Sequence, residues 1–343
     1  MIFVTGGAGY IGSHACVELL QAGLDVTVYD NFSSSQWEVA ECIQRVAGRK
    51  LTVVKGDIRD SQHLKDSLRA SAAKAVMHFA GLKGVGGSEV EPLTYYDHNV
   101  CGTLRLLEAM SVCGVKQLVF SSSATVYGVP EALPYREDHR LSATNTYGMT
   151  KLVVENMLRD LSRSDKTWAI AILRYFNPVG AHQSGLIGED SLGVPSNLMP
   201  YVAQVAVGRR PFLNVWGNDY PTPDGTGVRD YVHVVDLAIG HLRALEYVSR
   251  ELGCIAVNLG AGRGHSVLDL VNAFENASGR KIPFQVGPRR AGDLGAYWAD
   301  ASLAQSLLGW SVQRGLQDMC VDTWRWQSRH PNGYKGAKQW QKE

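Results

Sequence analysis

Thr5-Gly-Gly-Ala-Gly-Tyr-Ile-Gly12 follows the apolar run Ile2-Phe-Val4 and opens an amphipathic stretch over 10–22. Strand, glycine-rich turn and helix in that order decide the fold. Glycines at 6, 9 and 12 let the backbone turn tightly and approach an anion at a helix N-terminus, where free N–H groups and the helix dipole favour negative charge. The spacing Gly-x-x-Gly-x-x-Gly is a variant of the dinucleotide fingerprint, and without its flanks a glycine triplet is weak evidence. Asp30 ends the next apolar run, eighteen residues after Gly12. A carboxylate there accepts hydrogen bonds from ribose hydroxyls and repels a 2′-phosphate. Asn31 follows where an NADP enzyme would place an arginine, so NAD is favoured.

Outward from this turn, short apolar runs at 2–4, 25–29, 51–54, 75–79, 117–120 and 169–175 alternate with helical patterns such as 10–22 and 100–113. That alternation predicts βαβ units: an α/β, Rossmann-type doubly wound parallel sheet occupying 1–177. Beyond Pro178 glycines and prolines become frequent, and 178–343 reads mainly as a smaller, loop-rich carboxyl-terminal substrate lobe. Segments 229–235 and 255–260 have the texture of buried strands and can rejoin the first domain. Ligands of parallel sheets bind outside the carboxyl ends of the strands. Gly56-Asp57-Ile58 ends the third strand, placed to receive an adenine. Phe79-Ala-Gly-Leu-Lys83 ends the fourth, with Lys83 free to reach a phosphate.

The chain of 343 residues is 45% hydrophobic and 20% charged, with a formal net charge of +1 and no long basic block. This excludes the electrostatic footprint of a nucleic-acid or membrane-surface binder. Its six cysteines lie far apart, with no Cys-x-x-Cys, so reduced thiols and a cytoplasmic setting are expected. Met1-Ile-Phe-Val4 offers no basic n-region, and no apolar run reaches transmembrane length. The ten histidines form no spaced ligand set, so no metal site is expected.

The chemistry is carried by Asn145-Thr-Tyr-Gly-Met-Thr-Lys151 and Ser121-Ser-Ser-Ala-Thr-Val-Tyr127. Tyr147 and Lys151 are one helical turn apart and share a face. An unperturbed tyrosine titrates near pH 10, and lowering it by about three units needs roughly 4 kcal/mol. One ammonium falls short of that, so a second positive charge is required, and an oxidised nicotinamide supplies it. Ser123 would hydrogen-bond a substrate hydroxyl, Tyr147 take its proton and Lys151 bridge tyrosine and nicotinamide ribose. Three serines in a row also suit a polar turn, so the run is better defined than the choice within it.

These motifs resemble the extended short-chain dehydrogenase/reductase family, and within it the branch that inverts UDP-hexoses at C4. Further resembling segments are Gly6-Gly-Ala-Gly-Tyr-Ile-Gly-Ser-His14, His78-Phe-Ala-Gly-Leu-Lys83, Leu173-Arg-Tyr-Phe-Asn-Pro-Val-Gly-Ala-His182, Gly225-Thr-Gly-Val-Arg-Asp-Tyr-Val-His233 and Pro288-Arg-Arg-Ala-Gly-Asp293. The resemblance implies a tightly bound NAD, regenerated in each turnover. It extends the cofactor set to Tyr10, Ile11, Phe32, Ser33, Ser34 and Ser35 near the glycine turn, and to Ala80, Gly81, Leu82, Asn99, Ser121 and Phe176 beyond it. For a UDP-hexose it implies Arg229 and Arg290 on the diphosphate. Asn177, Asn197 and Asp293 would serve as hydrogen-bonding groups, and Leu198, Val215 and Trp216 as an apolar wall for the uridine. Tyr231 joins this set, and Tyr297 limits the space beside hexose C2, favouring UDP-glucose and UDP-galactose. It also implies a homodimer joined through helices near 100–113 and 147–161. Gly87, His98 and Ser34 depart from the family's pattern. A 4,6-dehydratase would need an Asp-Glu pair where Ala124-Thr125 stand, and an NAD-sensing binding protein would have no reason to keep Ser123, Tyr147 and Lys151 together.

Overall fold

The computed structural model describes residues 1–190, 193–290 and 292–334. Its first half comprises β1 (Ile2–Thr5), α1 (Tyr10–Gln21), β2 (Val26–Asp30), α2 (Glu38–Ala47), β3 (Thr52–Lys55), α3 (Ser61–Ser71) and β4 (Ala75–His78). Two short helices follow, α4 (Val85–Val90) and α5 (Pro92–Tyr96), then a π-helical turn over Asp97–Cys101 that runs into α6 (Gly102–Cys113). Next come β5 (Gln117–Ser123), α7 (Thr146–Ser164), β6 (Ala169–Tyr175), β7 (Asn177–Val179), α8 (Leu198–Ala206) and β8 (Leu213–Trp216). The remainder holds β9 (Val228–Arg229), β10 (Tyr231–His233), α9 (Val234–Val248), β11 (Gly253–Leu259), β12 (His265–Ser266), α10 (Val267–Ser278), β13 (Phe284–Gly287), β14 (Ala296–Tyr297), α11 (Ser302–Leu308) and α12 (Leu316–Arg329).

Seven parallel strands form the main sheet in the order β11-β6-β5-β4-β1-β2-β3. Chain order reverses between β1 and β4, and that switch point is where such sheets bind dinucleotides. Alternate residues of each strand face opposite layers. Val4, Val119 and Ala171 pack with α1 and α9 residues such as Leu19 and Leu237, whereas Phe3, Leu118 and Ile170 pack with Leu68 of α3, Leu106 of α6 and Leu158 of α7. A further core gathers Val202 of α8, Val215 of β8, Phe274 of α10 and Cys320 of α12.

One of the two later strand expectations holds and the other changes. The segment 255–260 does join the main sheet, through residues 255–259 of β11 beside β6. The segment 229–235 does not: it splits into β9, which pairs with β12 and β14, β10, which pairs with β7, and the start of α9. Asp230, between β9 and β10, accepts the backbone N–H groups of Ala261, Gly262 and Ala299, and so fastens the two short strands to the loop after β11 and to the segment after β14. The serine run ends the fifth strand, as expected, and the polar-turn alternative falls, because Ser121–Ser123 pair with Leu173–Tyr175 of β6.

Candidate active site

One cleft of about 880 Å³ runs from the glycine turn after β1, past the ends of β4, β5 and β6, to β8 and β14. Sequence and packing make its cofactor end tight. Gly6 has φ +71°, and a Cβ there would lie 2.6 Å from the Ala80 nitrogen; one on Gly12 would lie 2.3 Å from the Gly6 carbonyl. Only glycine lets β1, the β4 loop and α1 close together around the turn. Asp30 is buried at the end of β2. It accepts the Ala8 N–H at 3.0 Å, the Phe32 N–H at 2.9 Å and the Ser35 hydroxyl at 3.0 Å. Burial pushes its carboxyl up, and these backbone donors pull it back.

Asn31 and Asp57 line the cleft locked to each other, with Asn31 Nδ2 donating to Asp57 Oδ2 at 2.9 Å. The Arg59 guanidinium holds the Asp57 carboxyl well below the usual range. Three expected cofactor residues, Phe32, Asn99 and Ser121, do not line the cleft, and a fourth, Lys83, lines it ion-paired. The Lys83 ammonium is not free, since it pairs with Glu189 at 2.9 Å. Asn99 is buried behind the β4 loop: its Oδ1 accepts the Leu82 N–H at 2.7 Å, and its Nδ2 donates to the Leu82 carbonyl and the Thr150 hydroxyl. It shapes Gly81-Leu82 without reaching the cleft itself. Ser121 is also buried, its hydroxyl 3.1 Å from His241 Nε2. Phe32 packs its ring on Trp37 and meets Asp30 through its backbone N–H.

The catalytic candidates converge. Ser122 points to the α7 layer and bonds Glu155, so of the three serines Ser123 alone lines the cleft. Its Oγ accepts the Thr125 N–H at 3.2 Å and the Thr125 hydroxyl at 3.0 Å, leaving its own proton to donate. Tyr147 and Lys151 line the cleft from α7. The first three N–H groups of that helix are held by side chains: Glu89 takes Thr146, Ser88 takes Tyr147 and Asn145 takes Gly148. Such caps satisfy the donors a helix start leaves open. Ser88 and Glu89 come from α4, a connection sequence spacing does not announce.

The electrostatics differ from expectation. Burial pushes the Tyr147 phenol far up, with the Ser123 hydroxyl pulling it down. Lys151 does not offset that rise: its ammonium is 5.9 Å from the Tyr147 ring centre and donates to the Ser121 carbonyl at 2.9 Å. Burial pushes Lys151 itself down to about 8, against an opposing pull from Glu155. Desolvation thus outweighs the neighbouring charge in the protein alone.

At the far end, Arg229 stacks on Tyr297 (4.7 Å) and lies 3.7 Å from Asp293, while Arg290 stacks on Trp216 (5.0 Å). Asn177, Asn197, Leu198, Val215 and Tyr231 line the same stretch. Ala291, inside the Pro288–Asp293 motif, lies outside the described residues. Glu189, Asp190 and Tyr334 also line the cleft. The Tyr334 N–H bonds Asp190 at 3.0 Å, across 144 residues of sequence. A separation of that size is invisible to motif reading; the glycine-dense run 185–193 was the one hint that backbone closes on something there. Among the described residues no cluster of three or more His, Cys, Asp or Glu is arranged to hold a metal ion, and no helix is long and apolar enough to cross a membrane.

A glycine turn at the sheet's switch point, with a serine, tyrosine and lysine beyond it, defines an extended short-chain dehydrogenase/reductase. The family model described as GDP-mannose 4,6 dehydratase matches residues 3–323. The UDP-glucose 4-epimerase of Bacillus subtilis is 56% identical over 98% of this chain and 99% of its own length; that of Homo sapiens is 54% identical over 97% and 98%. A crystal structure of the enzyme from Stenotrophomonas maltophila, with bound NAD and formylated UDP-arabinopyranose, is 52% identical with a TM-score of 0.94, covering 96% of this chain and 98% of that one. The chain belongs to the UDP-glucose 4-epimerase family.

Proposed function

We propose that the protein interconverts UDP-glucose and UDP-galactose by reversible oxidation at sugar C4, with NAD retained throughout. The observation that carries this reading is that Ser123, Tyr147 and Lys151 line one cleft, between Gly6–Asp30 at one end and Arg229–Arg290 at the other. The close approach at Gly6 and Gly12 and the acceptor at Asp30 fit a dinucleotide. Bound NAD supplies a hydride acceptor and donor at C4, and in its oxidised form a positive ring charge. Tyr147 takes the proton of the sugar 4-hydroxyl and later returns it, so its pKa must serve both directions. Ser123 orients that hydroxyl, and Lys151 holds positive charge beneath the tyrosine.

Arg229 and Arg290 clamp the diphosphate, a task suited to a guanidinium fork. Leu198, Val215 and Trp216 hold the uridine. The nucleotide stays fixed while the 4-keto hexose turns over between Ser123 and Tyr297. A 4,6-dehydratase reading, suggested by the description of the matching family model, fails at Ala124 and Thr125, which offer no carboxylate beside Ser123. Exposed Leu104, Val112 and Met149 on α6 and α7 suit a homodimer face, and the six free thiols suit a cytoplasmic setting. Purified protein should convert UDP-galactose to UDP-glucose without added NAD; no turnover by protein that carries bound NAD overturns the reading.

A further inference from the structure

Among the buried charges that the mechanism leaves unused is a carboxylate of α7. Glu155 is fully buried on α7, one turn beyond Lys151. Its Oε1 accepts the Ser122 hydroxyl at 2.6 Å and Arg174 Nε at 3.0 Å, and its Oε2 accepts Arg174 Nη2 at 2.7 Å and Arg159 Nη2 at 2.8 Å. Arg174, on β6, is equally buried and donates to the Tyr127 hydroxyl at 3.0 Å. That hydroxyl donates in turn to Asn258 Oδ1 of β11 at 2.7 Å. One carboxylate thereby joins α7, β5, β6 and β11.

Stability alone is a poor explanation for such a pair. Desolvating two charges offsets most of their attraction, and apolar replacements are often no less stable. What the network does fix is geometry. The base Tyr147 belongs to α7 and the orienting serine to the end of β5, and Glu155 bonds Ser122, the neighbour of Ser123, from the helix that carries the base. It is also the group that pulls Lys151 back up against burial. Small misplacement of reacting groups is enough to lower rates a hundredfold.

We infer that Glu155 is a positioning residue, acting through Ser122 to hold Ser123 at its working distance from Tyr147. This rests on the reading of Ser123 and Tyr147 as the reacting pair. Glu155→Gln tests it directly but strands the Arg174 charge and is liable to unfold. Ser122→Ala is the gentler variant, since Arg174 still satisfies Glu155. In the NAD-loaded enzyme, Ser122→Ala should lower kcat by about tenfold or more, with KM within about twofold and bound NAD unchanged. Combined with Ser123→Ala it should cause no further loss beyond Ser123→Ala alone, because both act at one point. An unchanged kcat, whether or not the melting temperature falls, overturns the inference, as does full additivity of the two losses. Failure of the wild-type enzyme to turn over UDP-galactose overturns the underlying reading and the inference together; normal wild-type turnover with a normal Ser122→Ala rate overturns the inference alone.

Discussion

The Tyr297 hydroxyl donates to Asn177 Oδ1 at 3.2 Å, so this aromatic wall of the cleft is pinned to the residue that starts β7. Arg229 stacks over its ring at 4.7 Å. A ring held by a hydrogen bond and a cation has little freedom to move aside for a larger sugar. Tyr297→Ser should therefore admit UDP-N-acetylglucosamine, raising its kcat/KM by about tenfold or more while UDP-galactose loses less. Competing-substrate assays on both proteins check this, and a wild type that handles the two sugars equally well would refute the gatekeeper.

Tyr147→Phe removes one oxygen and leaves the ring and the caps of α7 in place. A proton-transfer group of this kind contributes about 10² to 10⁴ in rate. The expected outcome is a kcat lowered by that factor with bound NAD retained, read from the cofactor's absorbance in the purified variant. A near-wild-type rate would mean that another group takes the proton.

How much of this was legible in the sequence depends on the range of each interaction. The glycine turn, Asp30 and the Tyr147–Lys151 pair are set by contacts within one turn or one βα unit, and residue type and spacing carry them. The strands of the main sheet are equally readable, though β5 runs three residues further than its apolar stretch because β6 satisfies the serine backbone. What spacing could not reach is closure across the fold. Lys83 meets Glu189 over 106 residues, and Ser121 meets His241 over 120. Residue type and local spacing carry neither of these contacts. The sign of the Tyr147 shift was hidden for a related reason: burial is a property of the assembled site, and it outweighs the lysine.

Asp30 ties three segments together through Ala8, Phe32 and Ser35, as well as offering an acceptor toward a ribose. Hydrogen bonds to a charged group contribute about 1.5–3 kcal/mol each. Asp30→Ala should weaken cofactor retention by roughly ten- to hundredfold, which corresponds to losing one such bond to the ligand. NAD content after gel filtration, and restoration of activity by added NAD, measure it. Full retention by the variant would place the adenosine ribose elsewhere.

Three histidines make the fold itself sensitive to acid. His14 has one ring nitrogen on the Tyr10 carbonyl and the other without a partner; His78 sits between the Thr5 and Thr103 hydroxyls, and His241 between the Leu237 carbonyl and Ser121. Burial pushes the first two down to about 3 and the third to about 4. An unfolded histidine titrates near 6.5, so below that pH the unfolded chain binds protons that the folded one refuses. Their contribution is complete above about pH 6.5 and drains away as the pH falls toward the folded values. Between pH 6.5 and 5 each should cost roughly 2 kcal/mol. Urea midpoints should fall steeply over that interval, and His78→Asn, which keeps a hydrogen-bonding group without the titration, should flatten the slope by about one proton. An unchanged slope in that variant would mean that His78 does not stay neutral in the folded core.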